Sequence, residues 1–396
     1  MPSESTAVPE TLLGPVELAA IAHGGHCVAR VDGRVIFVRH GIPDEQVTIR
    51  VIDDSKPRFW WGEVAEVVAA SDDRVAPPCP VAGRCGGCDF QHVALPRQLE
   101  LKAQVVAEQL RRLAGIDWTV IVESVPGDNE GLGWRTRMRY LVRDGRVGLR
   151  AWRSDAPVEL PVGGCPIAHP AGPDDLARWA RDDGELQVVV ASDQTTVLGV
   201  DGEPVQGTAI VRQQVGSRWF RVRADGFWQV HPGAPEALVD AVMRLGGPGV
   251  GEAWWDLYSG AGLFAAFLGE AVGPDGEVDA VESDQDAHRD ARRALHDLRQ
   301  VRLHAADVAT WLRTAPGRPD GVVLDPPRAG AGAAVVEEIA ERAVERIVYV
   351  ACDPAALARD VALLRARGYR LAAIEGYDAF PMTHHVEAAA LLVHEG

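Results

Sequence analysis

Hydrophobic and polar positions alternate with a period of two near the N-terminus and with helical spacing further along. The two-residue alternation is clear in GRVIFV and EQVTIRV, with glycine-containing turns between such runs. It predicts a small five-stranded barrel over residues 12–72. Residues 95–115 instead repeat apolar side chains at helical spacing and end on Gly115, which predicts a helix with a C-terminal stop.

The pattern changes twice in the rest of the chain. Residues 118–228 alternate strand-like runs with turns, which predicts a β-rich central domain. From about residue 232, seven apolar runs alternate with helix-length segments, the rhythm of a doubly wound α/β sheet. We therefore expect an α/β protein with a C-terminal Rossmann-like domain. Its predicted segments are a flexible N-terminus (1–11), the barrel (12–72), the central domain (73–228) and the doubly wound domain (229–396).

Composition is that of an ordinary globular protein, with one informative feature in the charge. The 396 residues include 40 basic and 57 acidic side chains, a net charge of −17. This argues against a general nucleic-acid coat protein, because sequence-independent binding depends on basic residues meeting phosphates. No run approaches the ~20 apolar residues of a membrane span. The first ten residues lack the features of a secretory signal, so we expect a cytoplasmic monomer without membrane contact.

One stretch departs from the acidic background. Residues 135–153 hold seven arginines and a single acid, Asp144. Arginine pairs bidentately with phosphate and stacks on bases, so this strip is a candidate RNA contact. A solvated hairpin face is the alternative interpretation.

The cysteines indicate a metal site. Cys79, Cys85 and Cys88 form C-x5-C-x2-C with glycine and proline between them, and Cys165 in GGCPI is the natural fourth ligand. Small residues let the backbone turn around a metal and point several sulfurs inward. Four thiolates suit tetrahedral zinc or an iron–sulfur cluster, and the spacing does not decide between them. Unrelated buried cysteines are the alternative.

Polar residues close the predicted strands of the C-terminal domain. In such sheets ligands bind at the carboxyl ends of the strands, so these side chains should gather on one edge. They are Asp256, Glu282, Asp307, Asp325, Cys352 and Asp353. Gly260-x-Gly262 after the first strand matches the loose dinucleotide fingerprint, which fits a nicotinamide dehydrogenase and an S-adenosylmethionine enzyme equally, or a plain tight turn.

Asp325-Pro326-Pro327-Arg328 favours methyl transfer, because two prolines make a rigid loop that can hold a carboxylate beside a planar base. Carbon 5 of uracil accepts a methyl group only after a nucleophile adds to carbon 6. Cys352, at the end of RIVYVA and before a helix, could supply a thiolate, and such placement commonly lowers a thiol pKa. Glu387, which begins the last strand, could take the carbon 5 proton. A buried structural cysteine and a surface acid are the alternatives.

In combination these motifs resemble the TRAM-domain RNA (uracil-5-)methyltransferases over almost the whole chain. The matching motifs, in family order, are the C-x5-C-x2-C cluster with Cys165, FWQV at 227–230, DLYSGAG at 256–262, DPPR at 325–328, CDP at 352–354 and FPMTHHVE at 380–387. The resemblance implies transfer of a methyl group from S-adenosylmethionine to carbon 5 of a uridine that has left its stack.

The resemblance also implies roles for individual residues. Cys79, Cys85, Cys88 and Cys165 would bind a [4Fe–4S] cluster; Gln229, Tyr258, Glu282 and Asp325, with Asp307, Asp256, Gly260 and Gly262 beside them, would form the S-adenosylmethionine site; Cys352 would be the nucleophile and Glu387 the proton acceptor; Arg135, Arg137 and Arg139 would contact RNA. The substrate it favours is 23S ribosomal RNA, with transfer RNA as the alternative. Cys27 is left over and is expected to fill the barrel core.

Four positions depart from the family pattern. Ala351 and Asp353 stand where serine and asparagine flank the nucleophile, His231 stands where asparagine follows FQV, and Asp44 replaces a glycine of the barrel. A second acid beside Cys352 would oppose thiolate formation unless it points away. Two rival functions remain: a nicotinamide-dependent oxidoreductase with an iron–sulfur relay, and a zinc-bearing RNA-binding protein with an inactive methyltransferase domain.

Overall fold

The computed structural model describes residues 11–396. The predicted flexible segment 1–11 therefore lies, apart from Thr11, outside the described residues. The N-terminal strands are β1 (Leu12–Glu17), β2 (Ile21–Ala22), β3 (His26–Val31), β4 (Arg34–Arg39), β5 (Gln46–Asp53) and β6 (Phe59–Ala69). They form one sheet in the order β1-β5-β6-β4-β3-β2.

This sheet closes on itself as the predicted barrel. β1 and β2 are successive parts of one bent segment, and the residues between them bond to both neighbours: the Leu18 amide donates to Glu45 O at 2.9 Å, and the Ala19 amide donates to Val28 O at 2.8 Å. The alternating apolar side chains fill the interior, among them Ile36, with none of its surface exposed. Cys27 lies in this core and its thiol donates to Gly41 O, which confirms its expected structural role.

The segment after the barrel contains the cysteine cluster in irregular structure, followed by the predicted helix. This helix is α1 (Leu95–Gln109), which continues as one π-helical turn (Leu110–Ala114) and ends at Gly115 with φ of 64°. The left-handed conformation of Gly115 is the expected stop signal. A short strand, β7 (Val122–Ser124), follows.

The central domain is a six-stranded antiparallel sheet in the order β10-β9-β8-β11-β12-β13. Its strands are β8 (Arg137–Arg143), β9 (Arg146–Arg150), β10 (Pro157–Glu159), β11 (Gly184–Val190), β12 (Thr195–Leu198) and β13 (Pro204–Gln206), with a 3-10 turn at Ala177–Trp179. A separate hairpin follows, β14 (Ile210–Val215) and β15 (Arg218–Arg223).

The C-terminal domain has the predicted seven strands. Its elements are α2 (Ala234–Gly246), β16 (Ala253–Leu257), α3 (Leu263–Val272), β17 (Glu277–Glu282), α4 (Gln285–Ala294), β18 (Val301–Ala305), α5 (Val308–Leu312), β19 (Gly321–Leu324), α6 (Gly332–Glu341), β20 (Arg346–Ala351), α7 (Pro354–Arg365), β21 (Tyr369–Asp378) and β22 (Glu387–His394). The sheet order is β18-β17-β16-β19-β20-β22-β21-β7, with β22 antiparallel to both neighbours.

Two pieces of the predicted central domain belong instead to this larger unit. β7 pairs in parallel with β21 as an eighth strand, and the β14–β15 hairpin packs into the hydrophobic core shared by α2, α3 and α4. The opposite face of the sheet is covered by α1, α5, α6 and α7. The sequence pattern of short strands cannot distinguish which of two sheets a strand joins, since both are apolar on their inner faces. Among residues 11–396, no helix has the length and apolar character needed to cross a membrane.

Candidate active site

The turn after β16 is shaped by buried carboxyl groups. Tyr258, Gly260 and Gly262 all have positive φ, and the helix α3 begins directly after Gly262. Oδ2 of Asp256 accepts a hydrogen bond from the Ala265 amide at 2.7 Å, and Oε2 of Glu282 accepts one from the Gly260 amide at 2.9 Å. A Cβ on Gly262 would lie 2.7 Å from Leu295, so only glycine fits there. Side chains of two neighbouring strands thus hold the predicted cofactor turn.

Asp256 is unusual for a carboxyl group because it is completely buried. Its Oδ1 atom has no hydrogen-bond partner among the described residues. Burial, with further contributions from the charges of Asp325 and Glu282, raises its pKa to about 8. The strand-end acids therefore gather as predicted, and their mutual repulsion disfavours negative charge at this edge.

The remaining predicted cofactor residues differ in position and exposure. Burial and the charges of Asp307 and Asp360 raise the pKa of Tyr258 to about 12. Asp307 is exposed and caps α5, with Oδ1 accepting a hydrogen bond from the Thr310 amide at 2.9 Å. Gln229 is buried in the segment between β15 and α2.

Cys352 and Glu387 are brought together by strand pairing. β20 and β22 are antiparallel, and Ala351 pairs with Ala388. Cys352 directly follows Ala351 and Glu387 directly precedes Ala388, so the pairing brings the two residues to the same end of the strand pair, close enough for the charge of Glu387 to act on the Cys352 thiol. Glu387 is 3 % exposed and Cys352 is half-buried. Neither side chain forms a hydrogen bond or ion pair with another described residue, which leaves both available to a substrate.

The structure corrects one expectation about Cys352. Its position before α7 was predicted to lower the thiol pKa, yet burial and the charge of Glu387 raise that pKa to about 11, against the opposing effect of Arg328. Burial and the nearby Asp325 also raise the pKa of Glu387 well above its ordinary value. Burial raises the pKa of Asp325 to about 7. Desolvation thus outweighs the helix terminus and favours the protonated thiol in the free enzyme.

The Asp325-Pro326-Pro327-Arg328 loop is anchored from behind. Asp360 of α7 accepts hydrogen bonds from the Ala331 amide at 2.7 Å and from the Tyr349 hydroxyl at 2.6 Å. Gly330, with φ of 91°, passes so close that a Cβ there would lie 2.7 Å from the Asp360 carboxylate. This anchor holds the loop rigid, in agreement with its two prolines, and leaves Arg328 exposed at the site.

Asp353, the acid expected to oppose thiolate formation at Cys352, points away from the thiol. One oxygen of its carboxylate accepts a hydrogen bond from the Ala356 amide at 2.7 Å and so caps α7. The other lies 3.3 Å from Nε2 of His23, in the barrel. Asp353 does not appear among the charges that most affect Cys352. The departure from asparagine is therefore accommodated by a contact between two domains.

The loop that precedes Glu387 is held by α1. Lys102 is 1 % exposed, and its ammonium group lies 2.5 Å from Oδ1 of Asp378 and donates to Phe380 O at 3.0 Å. The Gln98 side chain bonds to Met382, which has φ of 65°. Two buried polar residues of α1, Gln98 and Lys102, thus fix the approach to β22.

The four predicted metal ligands line one cavity. Its volume is about 510 Å3, and Cys79, Cys85, Cys88 and Cys165 all face it. The first three are each 7 % exposed. Burial raises the pKa of Cys88 to about 12. Within residues 11–396, no group of three or more Cys, His, Asp or Glu side chains is arranged to hold a single metal ion.

Arginines of the predicted strip surround the same cavity. Arg135, Arg137 and Arg139 line it; Arg137 and Arg139 lie in β8, and Arg135 lies just before that strand. Arg137 is committed to the protein, since it donates to the carbonyl oxygens of Ala224 and Gly226, both at 2.7 Å. Burial lowers its pKa to about 10. Arg139 is exposed, whereas Arg135 is half-buried. The strip is therefore partly internal and partly on the surface.

Three site residues escaped the sequence analysis. Arg328 belongs to the DPPR motif but received no role, although its charge acts on Cys352. His23 lies in a turn far from the C-terminal domain in sequence and carried no signal. Lys102 did carry one: it is one of only two lysines among 40 basic residues, on an amphipathic helix face.

Comparisons with known proteins agree with this architecture. Residues 15–64 match the TRAM domain, and residues 292–395 match the tRNA (uracil-5-)-methyltransferase family. The crystal structure of Pyrococcus abyssi tRNA (uracil-54, C5)-methyltransferase in complex with S-adenosyl-L-homocysteine superposes with a TM-score of 0.69 at 22 % identity. The superposition covers 95 % of this chain and 99 % of that one, and it shows the shared fold.

Sequence relatives extend over nearly the full length. An uncharacterized RNA methyltransferase of Streptomyces avermitilis is 41 % identical over 95 % of this chain and 97 % of its own. Another, from Bifidobacterium longum, is 39 % identical over 99 % of both chains. With the barrel, the cofactor turn and the paired strand ends in place, the chain belongs to the TRAM-domain RNA methyltransferases of the uracil-5 family, which carry an S-adenosylmethionine-binding fold.

Proposed function

We propose that this enzyme transfers a methyl group from S-adenosylmethionine to carbon 5 of a uridine in RNA. The observation that carries the proposal is the proximity of Cys352 and Glu387 at the adjoining ends of β20 and β22, where the charges of Asp325 and Arg328 act on both. A thiol, a buried acid and a rigid polar loop at one strand edge supply a nucleophile, a base and a means of orienting the ring. No residue of this set is needed for hydride transfer.

In the proposed reaction, the Cys352 thiolate adds to carbon 6 of the uracil, and the electron pair of the 5,6 double bond moves to carbon 5. S-adenosylmethionine, when bound, supplies an electrophilic methyl group on a positively charged sulfur. Once carbon 5 carries the methyl group, Glu387 removes the carbon 5 proton. The double bond then re-forms and the Cys352 thiolate leaves.

The protonation states set a requirement on this cycle. Glu387 must have lost its proton to act as base, and Cys352 must lose its own to add. Because burial favours the neutral form of both, bound substrate has to change the environment. Arg328, whose charge lowers the pKa of both groups, is the residue of this chain that supports their ionised forms.

The four cysteines support an iron–sulfur cluster better than a zinc ion. A tetrahedral zinc site needs its sulfurs about 3.8 Å apart, given Zn–S bonds of about 2.3 Å. Among the described residues, no three such side chains are arranged to hold a single metal ion, whereas a cluster with four thiolates is larger, and its negative charge suits the arginines that line the same cavity. Cys79, Cys85, Cys88 and Cys165 would hold a [4Fe–4S] cluster that ties the cysteine loop to the central sheet.

RNA as substrate is supported by arginines that lack acidic partners. Arg34, Arg39 and Arg153 stack on tryptophan rings at 3.8, 3.9 and 4.0 Å and form no ion pair with a carboxylate among the described residues. Arg135 and Arg139 are likewise unpaired there. Arg139 and Arg153 are exposed and Arg34 and Arg135 are partly exposed, so these four can meet phosphates, whereas Arg39 is buried. We favour 23S ribosomal RNA as the substrate, with transfer RNA as the alternative.

The test is methyl transfer itself. Anaerobically purified enzyme is incubated with tritium-methyl S-adenosylmethionine and total RNA from a strain lacking the gene, and nucleosides are separated after digestion. We expect label in 5-methyluridine, and its absence with Cys352→Ala. Fractionating the RNA separates ribosomal from transfer RNA as substrate. Label in another nucleoside, or undiminished label with Cys352→Ala, would overturn the proposal.

Glu387→Gln provides the matched variant. Without the base, the methylated ring keeps its carbon 5 proton and the Cys352 bond to carbon 6 persists. We therefore expect a covalent enzyme–RNA adduct that survives denaturing electrophoresis and is absent from the Cys352→Ala, Glu387→Gln double variant. The inactive-domain and oxidoreductase alternatives predict no adduct in either protein.

A further inference from the structure

One turn of the N-terminal barrel contacts both loops that carry the proposed catalytic pair. His23 lies 3.3 Å from Asp353, the residue after Cys352. Two residues later, Gly25 packs against His384, three residues before Glu387, so closely that a Cβ on Gly25 would lie 2.5 Å from the Cβ of His384. The turn from His23 to Gly25 thus lies against the ends of β20 and β22.

From this arrangement we infer that His23 is a positioning residue for the nucleophile, acting through Asp353. The inference rests on the proposed role of Cys352 and deepens it. The barrel then has a task at the reacting centre in addition to any contact with RNA.

The contact with His23 holds a charge in place. Asp353 must keep one carboxylate oxygen on the Ala356 amide to cap α7, and His23 satisfies the other oxygen. Other charged groups also shift the two pKa values. Arg359 lowers the pKa of Asp353, whereas Glu387 and Asp325 raise the pKa of Cys352 and Arg328 lowers it. Without His23, this carboxylate oxygen loses its partner and is free to swing toward the adjacent thiol, where a negative charge opposes thiolate formation.

Asparagine at position 353 would cap the helix without a charge, so it offers a rescue. The experiment compares His23→Ala, Asp353→Asn and the double variant, with His296→Ala as a control that removes an exposed histidine elsewhere on the chain. Each protein is assayed for kcat and KM of methyl transfer. The rate of Cys352 alkylation by iodoacetamide at pH 8 is measured as well, because it needs neither RNA nor S-adenosylmethionine.

We expect His23→Ala to lower kcat by about tenfold, the scale of one hydrogen bond to a charged group at a partly exposed site, with KM for RNA within about twofold. Alkylation of Cys352 should slow in parallel. In the Asp353→Asn background, His23→Ala should have no further effect on either rate. Melting temperatures of all variants are measured so that a misfolded protein is recognised.

Three results would overturn the inference: losses from His23→Ala and Asp353→Asn that multiply, a rise in KM with kcat unchanged, or alkylation equal to that of His296→Ala. Losses that multiply would show that His23 and Asp353 act independently. A rise in KM alone would show that His23 contacts RNA. A wild-type enzyme that methylates no RNA would refute the proposed function, whereas the alkylation rates would still decide whether His23 acts on Cys352.

Discussion

The thiol of Cys352 should be unreactive in the free enzyme. Burial and the charge of Glu387 raise its pKa from 9.0 to about 11. At pH 8 about one molecule in a thousand then carries the thiolate, against about one in ten for an ordinary thiol, a difference of about a hundredfold. A thiolate of higher pKa is intrinsically more nucleophilic, and this raises the rate of alkylation per thiolate by about tenfold. The expected net effect is alkylation about tenfold slower than normal.

The assay follows alkylation of Cys352 by iodoacetamide between pH 7 and pH 11, with the modified peptide identified by mass spectrometry. The same cysteine in urea-unfolded protein is the reference. The folded enzyme should react more slowly at pH 8, and its rate should keep rising to above about pH 10, where the unfolded protein has levelled off.

Two variants should move the curve in opposite directions. Glu387→Gln removes a charge that raises the pKa of Cys352, so alkylation should become faster, whereas Arg328→Gln removes the charge that lowers it, so alkylation should become slower. A plateau below pH 9 in the wild-type enzyme would refute the reasoning. So would a shift in the same direction for both variants, because burial and charge would then not control this thiol.

Three further predictions concern stability and the metal site. Lys102→Met leaves the buried Asp378 carboxylate without its partner and should destabilise the protein by about 3–5 kcal/mol in urea unfolding, with most of the loss recovered in Lys102→Met, Asp378→Asn; no recovery would contradict this. Because the pKa of Asp256 is raised to about 8, its contribution to stability is full below about pH 4 and is lost as the pH rises through 8. Asp256→Asn should therefore melt above wild type at pH 9 but not at pH 5, and equal melting at both would contradict the assignment. Cys88→Ser should lose the visible absorbance and most of the iron, about four atoms per chain, of anaerobically purified protein, and unchanged iron would exclude Cys88 as a ligand.

Much of the fold follows from local sequence signals. Two-residue alternation predicted the barrel, helical spacing and a terminal glycine predicted α1, and the rhythm of seven apolar runs predicted the large sheet. The exceptions were β7 and the β14–β15 hairpin, which join the C-terminal unit instead of the central sheet. Strand propensity is local, whereas the choice of a partner sheet depends on packing between distant segments.

The site was predictable where its residues end strands and unpredictable where distant segments meet. Asp256, Glu282 and Asp325 could be placed on one edge because carboxyl ends of parallel strands share it. His23 could not, since its contact with Asp353 spans most of the chain and depends on how the barrel docks. The predicted lowering of the Cys352 pKa was also wrong. The sequence shows that a helix begins after this residue, but it does not show the burial whose effect on the pKa is larger.

The raised pKa values at the strand edge have a common origin and a common consequence. Asp256, Asp325 and Glu387 are all desolvated, and the charge of Asp325 raises the pKa of Asp256, of Glu387 and of Cys352. Negative charge at this edge is therefore disfavoured when nothing is bound, although the edge is lined with acids. Arg328 and a positively charged ligand act on it in the same sense, since each favours the ionised forms. Activation of the thiol would then follow from filling the site, and an empty site would keep its nucleophile protected from adventitious reaction.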